Sequence, residues 1–481
     1  MTAQRRTWTL LGLLLAGLGA AHCRDPVDPP PVEGEKETPP LPAMAREARL
    51  LQVDAAQRVL LSIRADGTYA QDLPDGAPVR IADAAEGADI TGDGQTTVMW
   101  SAEADGMRTV WLWRRGTPEA IVLSQKARGP VLHDGGQSFV AFLEQDGTGA
   151  SAVRVARIPT CLPGDCVLQT LLQVQDGAPA LRRGGTTLSL QNGAHRWLID
   201  VPTGAVKDLG ELPGHSFVSP AMTRYGWAEH DHVRLFDSAT GAQVWEQVIE
   251  HADFQSWIST HAFMLSEERV YVGSEDIYMG TPQGVPKSHR TYACGAQGCS
   301  SSLGGDSCYP ATLQGQLAMW CRPDPCLQIR CPQPSPSYRD SEGAWLYSES
   351  ESGRVLGPIL SQDLKNSVGL YGEQGQLHRL EWRREDEFWS LYLDAPYPSA
   401  PIQFLPDKSR VVFHQQVFEA DGIARSHLWT WDRFRRVDLG RLDGAPGPMS
   451  IVRDNPPTFY LDTDVVNADG TAGTAIVRVA L

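Results

Sequence analysis

Short apolar runs alternate with turn residues along most of the chain after residue 50. Residues 96–100, 109–113, 138–143 and 152–158 are examples of such runs. They are rich in β-branched and aromatic residues, have the length of single strands, and lack the spacing of an amphipathic helix. The pattern therefore predicts an all-β protein.

Asp-Gly pairs separate many of these runs. Ten such pairs begin at residues 66, 75, 93, 105, 134, 146, 176, 421, 443 and 469. Asp-Gly favours tight hairpin turns because Gly adopts positive φ freely and Asp tolerates it. Asp93 and Asp134 open two similar segments, each with a turn, a strand, an Asp-Gly turn and a second strand. Repeats of about 40 residues with several strands each are typical of β-propeller blades.

Two propeller families share features with these repeats. The segments that begin at residues 93, 134 and 405 resemble the TolB and WD40-like repeat, and residues 404–408 are similar to its opening Pro-Asp-Gly turn. A further segment from Val233 is similar to the quinoprotein-type repeat, through Asp237, Thr240, Gly241 and Trp245. The TolB resemblance implies a propeller in a bacterial envelope.

The repeats predict where the blades lie. We expect blades near 50–85, 87–127, 129–174, 178–210 and 216–250, a sixth from 258, and others at 344–393, 401–441 and 449–481. Residues 281–338 lack apolar alternation, which predicts a cysteine-rich insertion. The expected domain is a β-propeller of seven or eight blades over residues 46–481. Pairing of the last strand, 474–481, with residues 50–63 would remove its open edges.

The N-terminus reads as an export signal. Arg5 and Arg6 precede an apolar run at 10–18 and small residues that end at Cys23. The run is far shorter than the roughly 20 residues that span a membrane, so residues 1–22 are predicted to be a cleaved signal peptide. Cys23 resembles the lipidated cysteine of bacterial lipoproteins, which implies acyl chains at this residue. Ordinary secretion, with cleavage after Ala21, is the alternative.

The stretch behind Cys23 is rich in Pro and Glu and has little to bury. Residues 23–45 are therefore predicted to be a lipid attachment site and a disordered tether. This arrangement predicts a protein held to a bacterial membrane in the cell envelope; a periplasmic or secreted protein is the alternative.

Cysteine usage supports export. The chain has nine cysteines, and eight remain when Cys23 is set aside, which favours four disulfides in an oxidising compartment. The expected pairs are Cys161 with Cys166, Cys294 with Cys299, Cys308 with Cys321, and Cys326 with Cys331. The alternative for the later cysteines is a zinc site.

Charge and local motifs restrict the function classes. The formal charge of −16 argues against nucleic acid as a partner. No Gly-x-Ser-x-Gly motif occurs, and we predict no catalytic residue, metal site or cofactor. The weaker motifs are interpreted as surface, turn or packing residues: His230-Asp231-His232, Asp462-Thr463-Asp464 with Asn467 and Asp469, Glu385-Asp386-Glu387, and the Trp111/Trp113 and Trp429/Trp431 pairs.

Two functions remain open from the sequence. The first is a lipid-anchored envelope propeller that binds or scaffolds an unidentified protein or polymer through its loops. The second is a propeller enzyme, a glycan-cleaving or metal-assisted hydrolase with its site at the central channel. Carboxylates or histidines converging on the channel would favour the enzyme.

Overall fold

The structure is a computed structural model. It describes residues 41–145, 149–161, 165–175, 177–250, 256–277, 287–300, 306–313, 316–323, 337–339, 345–348, 354–360, 366–371, 378–384, 387–393, 402–404, 409–418, 423–442, 444, 446–452, 458–466 and 471–480.

These residues form strands almost throughout. The described part of the chain contains 39 β-strands, numbered in chain order, and one 3-10 helix, η1 (Ile158–Thr160), but no α-helix. All strand pairs are antiparallel, and the strands of each sheet follow one another in chain order, except that the first strand of the chain, β1, lies beside the last, β39. The predicted all-β propeller is confirmed.

The first five blades lie between residues 49 and 248. Blade 1 contains β2 (Arg49–Val53), β3 (Val59–Arg64), β4 (Gly67–Asp72) and β5 (Val79–Ala82). Blade 2 contains β6 (Gly87–Ile90), β7 (Thr96–Trp100), β8 (Arg108–Arg114) and β9 (Ile121–His133). Blade 3 contains β9 again, β10 (Phe139–Gln145), β11 (Ser151–Arg157) and β12 (Leu168–Val174). Blade 4 contains β13 (Ala180–Gly184), β14 (Thr187–Asn192), β15 (His195–Asp200) and β16 (Ala205–Glu211). Blade 5 contains β17 (His215–Val218), β18 (Arg224–Glu229), β19 (His232–Asp237) and β20 (Gln243–Val248).

The remaining blades follow in the same order. Blade 6 contains β21 (Ser256–Met264), β22 (Val270–Ile277), β23 (Lys287–Gly295) and β24 (Gly298–Ser300). Blade 7 contains β25 (Asp306–Leu313), β26 (Gln316–Pro323), β27 (Ser337–Arg339) and β28 (Trp345–Ser348). Blade 8 contains β29 (Arg354–Leu360), β30 (Asn366–Tyr371), β31 (His378–Arg384) and β32 (Glu387–Leu393). Blade 9 contains β33 (Ile402–Phe404), β34 (Val411–Phe418), β35 (Ala424–Trp431) and β36 (Arg436–Leu442). Blade 10 contains β37 (Pro446–Val452), β38 (Thr458–Val466), β39 (Ala472–Ala480) and β1 (Ala43–Arg46).

Strand β9 belongs to two blades. Its first half pairs with β8 and its second half pairs with β10; Ala127, between the two halves, pairs with both strands. Blades 2 and 3 therefore form one seven-stranded sheet, whereas each other blade is a separate four-stranded sheet.

Buried apolar side chains form clusters between neighbouring blades. Such clusters join blades 1 and 2, 2 and 3, 3 and 4, 5 and 6, 6 and 7, 8 and 9, 9 and 10, and 10 and 1. Each interior-facing side chain of this kind stabilises the fold by about 2 kcal/mol. The core is thus distributed around the series of blades.

The first turn of several blades has the same side-chain bond. The residue after the first strand uses a side-chain oxygen to accept amide hydrogens four or five residues later, which fixes the turn. The bonds are Asp54 with Arg58 and Val59, Thr91 with Gln95 and Thr96, Asp134 with Ser138, and Ser219 with Arg224. This bond explains why a polar residue recurs directly after the first strand of these blades.

Blade 10 is completed by the N-terminal strand. β39 pairs with β1, through Ala45 opposite Ile476 and Arg46 opposite Ala475. The predicted partner of the last strand, residues 50–63, instead forms β2 and β3 of blade 1. The blades therefore begin at Ala43, slightly before the predicted boundary at 46.

The interval 281–338 differs from the predicted insertion. It supplies β23 and β24 to blade 6 and β25, β26 and β27 to blade 7. The described residues consequently form more four-stranded blades than the seven or eight predicted. Apolar alternation failed as a signal here because cysteines occupy facing positions, with Cys294 opposite Cys299 and Cys308 opposite Cys321.

Candidate functional site

The first strands of the blades lie closest to one another. β2 contacts β6, β9 contacts β13, β17 contacts β21, and β29 contacts β33. These strands are therefore the inner strands, and their side chains meet between neighbouring blades. Polar residues on them are the natural candidates for a site, because a propeller presents ligands to its inner strands and turns.

Three blades contribute to a polar cluster, which we call the central cluster: Gln52 of β2, Asp89 of β6 and His133 of β9. Gln52 Nε2 lies 3.5 Å from Asp89 Oδ1, and Gln52 Oε1 accepts the backbone amide hydrogen of Ile90 at 3.1 Å. Asp89 Oδ2 lies 3.3 Å from His133 Nδ1. Gln52 and Asp89 are the penultimate residues of their strands and His133 is the last residue of β9, so all three lie next to a first turn.

The protonation of His133 depends on competing contacts. Burial lowers the pKa of His133, the Asp89 charge opposes that shift, and the Arg183 charge adds to it. In the neutral ring Nδ1 accepts the Gly135 amide hydrogen at 3.3 Å, which assigns the proton to Nε2. Protonation of Nδ1 would replace that bond with an ion pair to Asp89.

The central cluster is accessible. The Asp89 side chain is 36% exposed and that of His133 is 14% exposed, with Trp100 stacked 6.0 Å from the imidazole. Among the described residues, none of the bonds of Gln52, Asp89 or His133 is to a Ser, Thr, Cys or Lys side chain. The cluster therefore offers a carboxylate, an amide and an imidazole N–H to a ligand.

Other inner strands are joined by histidines. His215 Nε2 lies 2.8 Å from the Ser259 carbonyl oxygen, and His261 Nε2 lies 2.6 Å from the Cys308 carbonyl oxygen. These rings connect blade 5 to blade 6 and blade 6 to blade 7. They hold the inner strands in register, because each satisfies a backbone carbonyl of the next blade.

Disulfide bonds are present as predicted. They join Cys161 to Cys166, Cys294 to Cys299, and Cys308 to Cys321. Cys326 and Cys331 lie outside the described residues, as does Cys23. The disulfides stabilise local hairpins and are remote from the central cluster in sequence.

The His230-Asp231-His232 motif does not place two histidines on one face. His230 has a φ of 52° and lies in the turn before β19, so strand alternation does not apply to it. His232 Nδ1 lies 2.8 Å from Glu246 Oε1. The part of the chain that the structure describes has no group of three or more His, Cys, Asp or Glu residues arranged for a metal ion.

The remaining motifs serve packing or lie partly outside the described residues. Asp462 is buried and accepts the Leu50 amide hydrogen, whereas Asp464 is exposed, and Asn467 and Asp469 are outside. Glu387 is exposed, and Glu385 and Asp386 are outside. The tryptophan pairs are buried, with Trp111 and Trp113 between blades 1 and 2 and Trp429 and Trp431 between blades 8 and 9.

A repeated outer-strand motif went unnoticed in the sequence. In blades 4 and 9 a His-x-Trp on the third strand is followed by Asp-Leu-Gly on the fourth. The histidine contacts the aspartate, which also accepts the glycine amide hydrogen; the residues are His195, Asp208 and Gly210, and His427, Asp438 and Gly440. Comparing HRWLID with HLWTWD would have found it.

The central cluster was also missed. Its residues come from strands about 40 residues apart, and each is an isolated polar residue in an apolar run. Their common position, just before a first turn, was the available signal.

Known proteins add little to these observations. No family model matches the sequence, and no curated protein is significantly similar to it. Among solved structures, the WD40 domain of SCAP from fission yeast is 8% identical with a TM-score of 0.33, over 92% of this chain and 97% of that one. Porphyromonas gingivalis dipeptidyl peptidase 4 is 6% identical with a TM-score of 0.36, over 88% and 65%. The β-propeller domain of the trilobed protease from Pyrococcus furiosus is 12% identical with a TM-score of 0.29, over 71% and 91%.

At these identities and scores, the comparisons say nothing about function. The propeller fold itself is of a kind that supports binding or scaffolding. Over the described residues, no helix has the length and apolarity required to cross a membrane.

Proposed function

We propose that this protein is an exported, lipid-anchored propeller that binds a protein or polymer of a bacterial envelope through the central cluster. The observation that carries the binding role is the convergence of Gln52, Asp89 and His133 from three blades, with Asp89 partly exposed. Such a set of donors and acceptors on rigid strands suits recognition of a polar ligand.

Export and anchoring are supported by the N-terminal sequence. The signal-like residues 1–22, Cys23 and the Pro/Glu-rich tether follow the order of a bacterial lipoprotein. Three disulfides fit an oxidising compartment. Neither feature depends on the central cluster, so anchoring and binding can be tested separately.

Crosslinking in intact envelopes tests the binding role. We expect Asp89→Asn to reduce the captured partner about tenfold, because a charge-assisted hydrogen bond is lost. Asp83→Asn is the matched control, since the Asp83 side chain is 80% exposed and, among the described residues, forms an ion pair with Arg80 alone. Equal capture by both variants and the wild type would contradict a role for the central cluster.

Fractionation tests the anchor. We expect Cys23→Ser to release the protein from the membrane fraction and to abolish labelling by a fatty-acid analogue. Replacement of a later cysteine pair, Cys161 and Cys166, by serine is the control and should leave the distribution unchanged. A Cys23→Ser variant that stays in the membrane fraction would refute lipid anchoring.

A hydrolase is the second candidate, favoured by the proximity of Asp89 and His133. A general base must present an unprotonated ring nitrogen to its substrate, whereas Nδ1 of His133 accepts the Gly135 amide hydrogen and Nε2 carries the proton, so His133 would have to change tautomer to act as a base. We expect no glycan-cleaving activity above that of His133→Asn. Turnover that this substitution abolishes would establish the enzyme instead.

A further inference from the structure

The junction between blades 4 and 5 is polar. The apolar cluster that contains blade 4 joins it to blade 3, and the one that contains blade 5 joins it to blade 6. Blades 4 and 5 are connected by cations instead: Lys207 Nζ donates to the carbonyl oxygens of Ser238 at 2.6 Å and Ala239 at 3.1 Å. All residues from 180 to 248 are described, so the replacement of an apolar cluster by polar contacts is a property of the junction itself.

Arg196 is a buried cation at this junction, with 4% of its surface exposed. Its guanidinium donates to Gln191 Oε1 at 2.5 Å and to the Ser216 carbonyl and hydroxyl oxygens at 3.3 and 3.1 Å. All of these acceptors are neutral. Buried charges are usually paired with an opposite charge, because removing an ion from water is costly. Within the described residues, Arg196 has no carboxylate partner.

Arg182 places a second cation on the same face of blade 4. Ala180, Gln191 and Arg196 are opposite one another across three strands, and Arg182 is two residues beyond Ala180 on the inner strand β13. Strand alternation therefore puts Arg182 and Arg196 on the side that faces blade 5. Arg182 is exposed and makes no ion pair or hydrogen bond with the described residues.

The two charges oppose each other. Burial and, to a smaller extent, the Arg182 charge together lower the pKa of Arg196 to about 10. An anion between the two guanidinium groups would relieve this repulsion and supply the missing counter-charge.

Blade 5 adds donors to the same space. Ser216 pairs directly with Trp227 across β17 and β18, so both side chains face blade 4. The Trp227 indole nitrogen is buried and has no hydrogen-bond partner within the described part of the chain. An indole N–H only donates, as do the two guanidinium groups. The same row of blade 5 continues to Arg234 and Glu246, and the Glu246 carboxylate already contacts Arg234 and His232. The junction thus collects donors, and the carboxylate of this row is occupied by other side chains.

We propose that the junction of blades 4 and 5 binds a carboxylate or phosphate oxyanion, held by Arg182 and Arg196 with the Trp227 N–H as a further donor. Planar guanidinium groups suit both anions, because each nitrogen pair matches two oxygens. This site is separate from the central cluster and does not rest on the proposed function.

Titration of the full-length protein, purified in detergent, tests the site. Inorganic phosphate and acetate are compared with chloride at matched ionic strength, by calorimetry and by thermal unfolding. We expect phosphate, acetate or both to bind and to raise the Tm. Binding of only one anion identifies the ligand chemistry.

Neighbouring arginines provide the matched pair of variants. Arg182→Gln should weaken anion binding about tenfold, because one charge-assisted bond is lost. Arg183→Gln should leave the affinity unchanged, since Arg183 is the next residue of β13 and faces blade 3. Both positions are exposed, so both variants should fold.

Arg196→Gln separates a ligand site from a purely structural arginine. If Arg196 only bonds Gln191 and Ser216, the substitution lowers the Tm and leaves the anion-dependent rise intact. In an anion site, that rise disappears. The proposal is overturned if neither anion binds, if Arg182→Gln and Arg183→Gln weaken binding equally, or if Arg196→Gln keeps the full rise.

Discussion

Asp462 shows how one side chain joins the two ends of the described chain. It lies in β38 of blade 10, is 6% exposed, and accepts the amide hydrogen of Leu50 in blade 1. Burial raises the pKa of its carboxyl group to about 6. The protonated carboxyl is therefore favoured by the folded state.

This shift predicts how stability changes with pH. The folded pKa lies above the unfolded value of 3.8, so the folded state binds more protons between the two values. The contribution of Asp462 to stability is complete below about pH 4 and is lost as the pH rises through about 6. At pH 7 the charged group costs about 2 kcal/mol.

Asp462→Asn removes the charge and keeps an oxygen for the Leu50 amide. We expect this variant to exceed the wild type in unfolding free energy at pH 7 by about 2 kcal/mol, and to lose the advantage near pH 4. Urea unfolding at several pH values measures the difference. Asp464→Asn, at an exposed neighbour, should change little; parallel pH profiles for Asp462→Asn and the wild type would contradict the assignment.

Residues differ in how well the sequence predicts their roles. Cys161 and Cys166 were predictable because a short turn alone brings them together. Asp89 and His133 were not, because their contact depends on the packing of two blades. His230 was interpreted as a surface residue, and it is exposed in a turn with positive φ.

At the scale of single elements, the outer hairpins of blades 4 and 9 have the same bulge. Gly210 has a φ of 72° and Gly440 a φ of 141°, and each donates its N–H to an aspartate two residues earlier. Both conformations disfavour side chains. Their surroundings differ: a Cβ at Gly440 would lie 2.7 Å from Leu41, whereas a Cβ at Gly210 would meet nothing within 4 Å.

Alanine at these two glycines separates backbone strain from contact with the N-terminal segment. Gly210→Ala should lower the free energy of unfolding by about 1 kcal/mol, because alanine disfavours the left-handed backbone conformation. Gly440→Ala should cost about 2 kcal/mol more, since Leu41 must also move. Chemical unfolding of both variants measures the gap. Equal costs would mean that Leu41 does not pack on β36.

The sequence predicts the strands and blades correctly where characteristic turn residues separate them. The first five predicted blades coincide with blades 1 to 5, because Asp-Gly pairs and capping residues mark their turns. The second half of blade 6 and the first three strands of blade 7 were read as an insertion because Pro, Ser and Cys replace apolar alternation in strands such as β25. Backbone pairing and cross-strand disulfides hold these strands without that pattern.

At the scale of the whole molecule, the N-terminal strand completes blade 10. β1 covers the edge of β39, and the Leu41 amide donates to the Arg441 carbonyl oxygen of blade 9 at 2.9 Å. An uncovered edge strand offers unpaired backbone groups to other chains. Without this N-terminal segment, β39 would lose its backbone partners along the edge that faces β1 and would keep those along its other edge.

Two truncations test that dependence. A chain that begins at Leu41 keeps β1 and should match the longer chain in oligomeric state and in resistance to protease. A chain that begins at Arg49 lacks β1 and should aggregate or be cleaved near β39, because the edge is open. Size-exclusion chromatography and limited proteolysis distinguish them. Identical behaviour of the two chains would show that β1 is dispensable.

The strand shared by blades 2 and 3 limits how this chain could be rearranged. Circular permutation succeeds where the new chain ends fall in an exposed loop. β9 has no such loop, because one continuous strand pairs with β8 before Ala127 and with β10 after it. A permuted chain opened there would lose strands from two blades at once, so blades 2 and 3 must be moved, duplicated or transplanted as a pair.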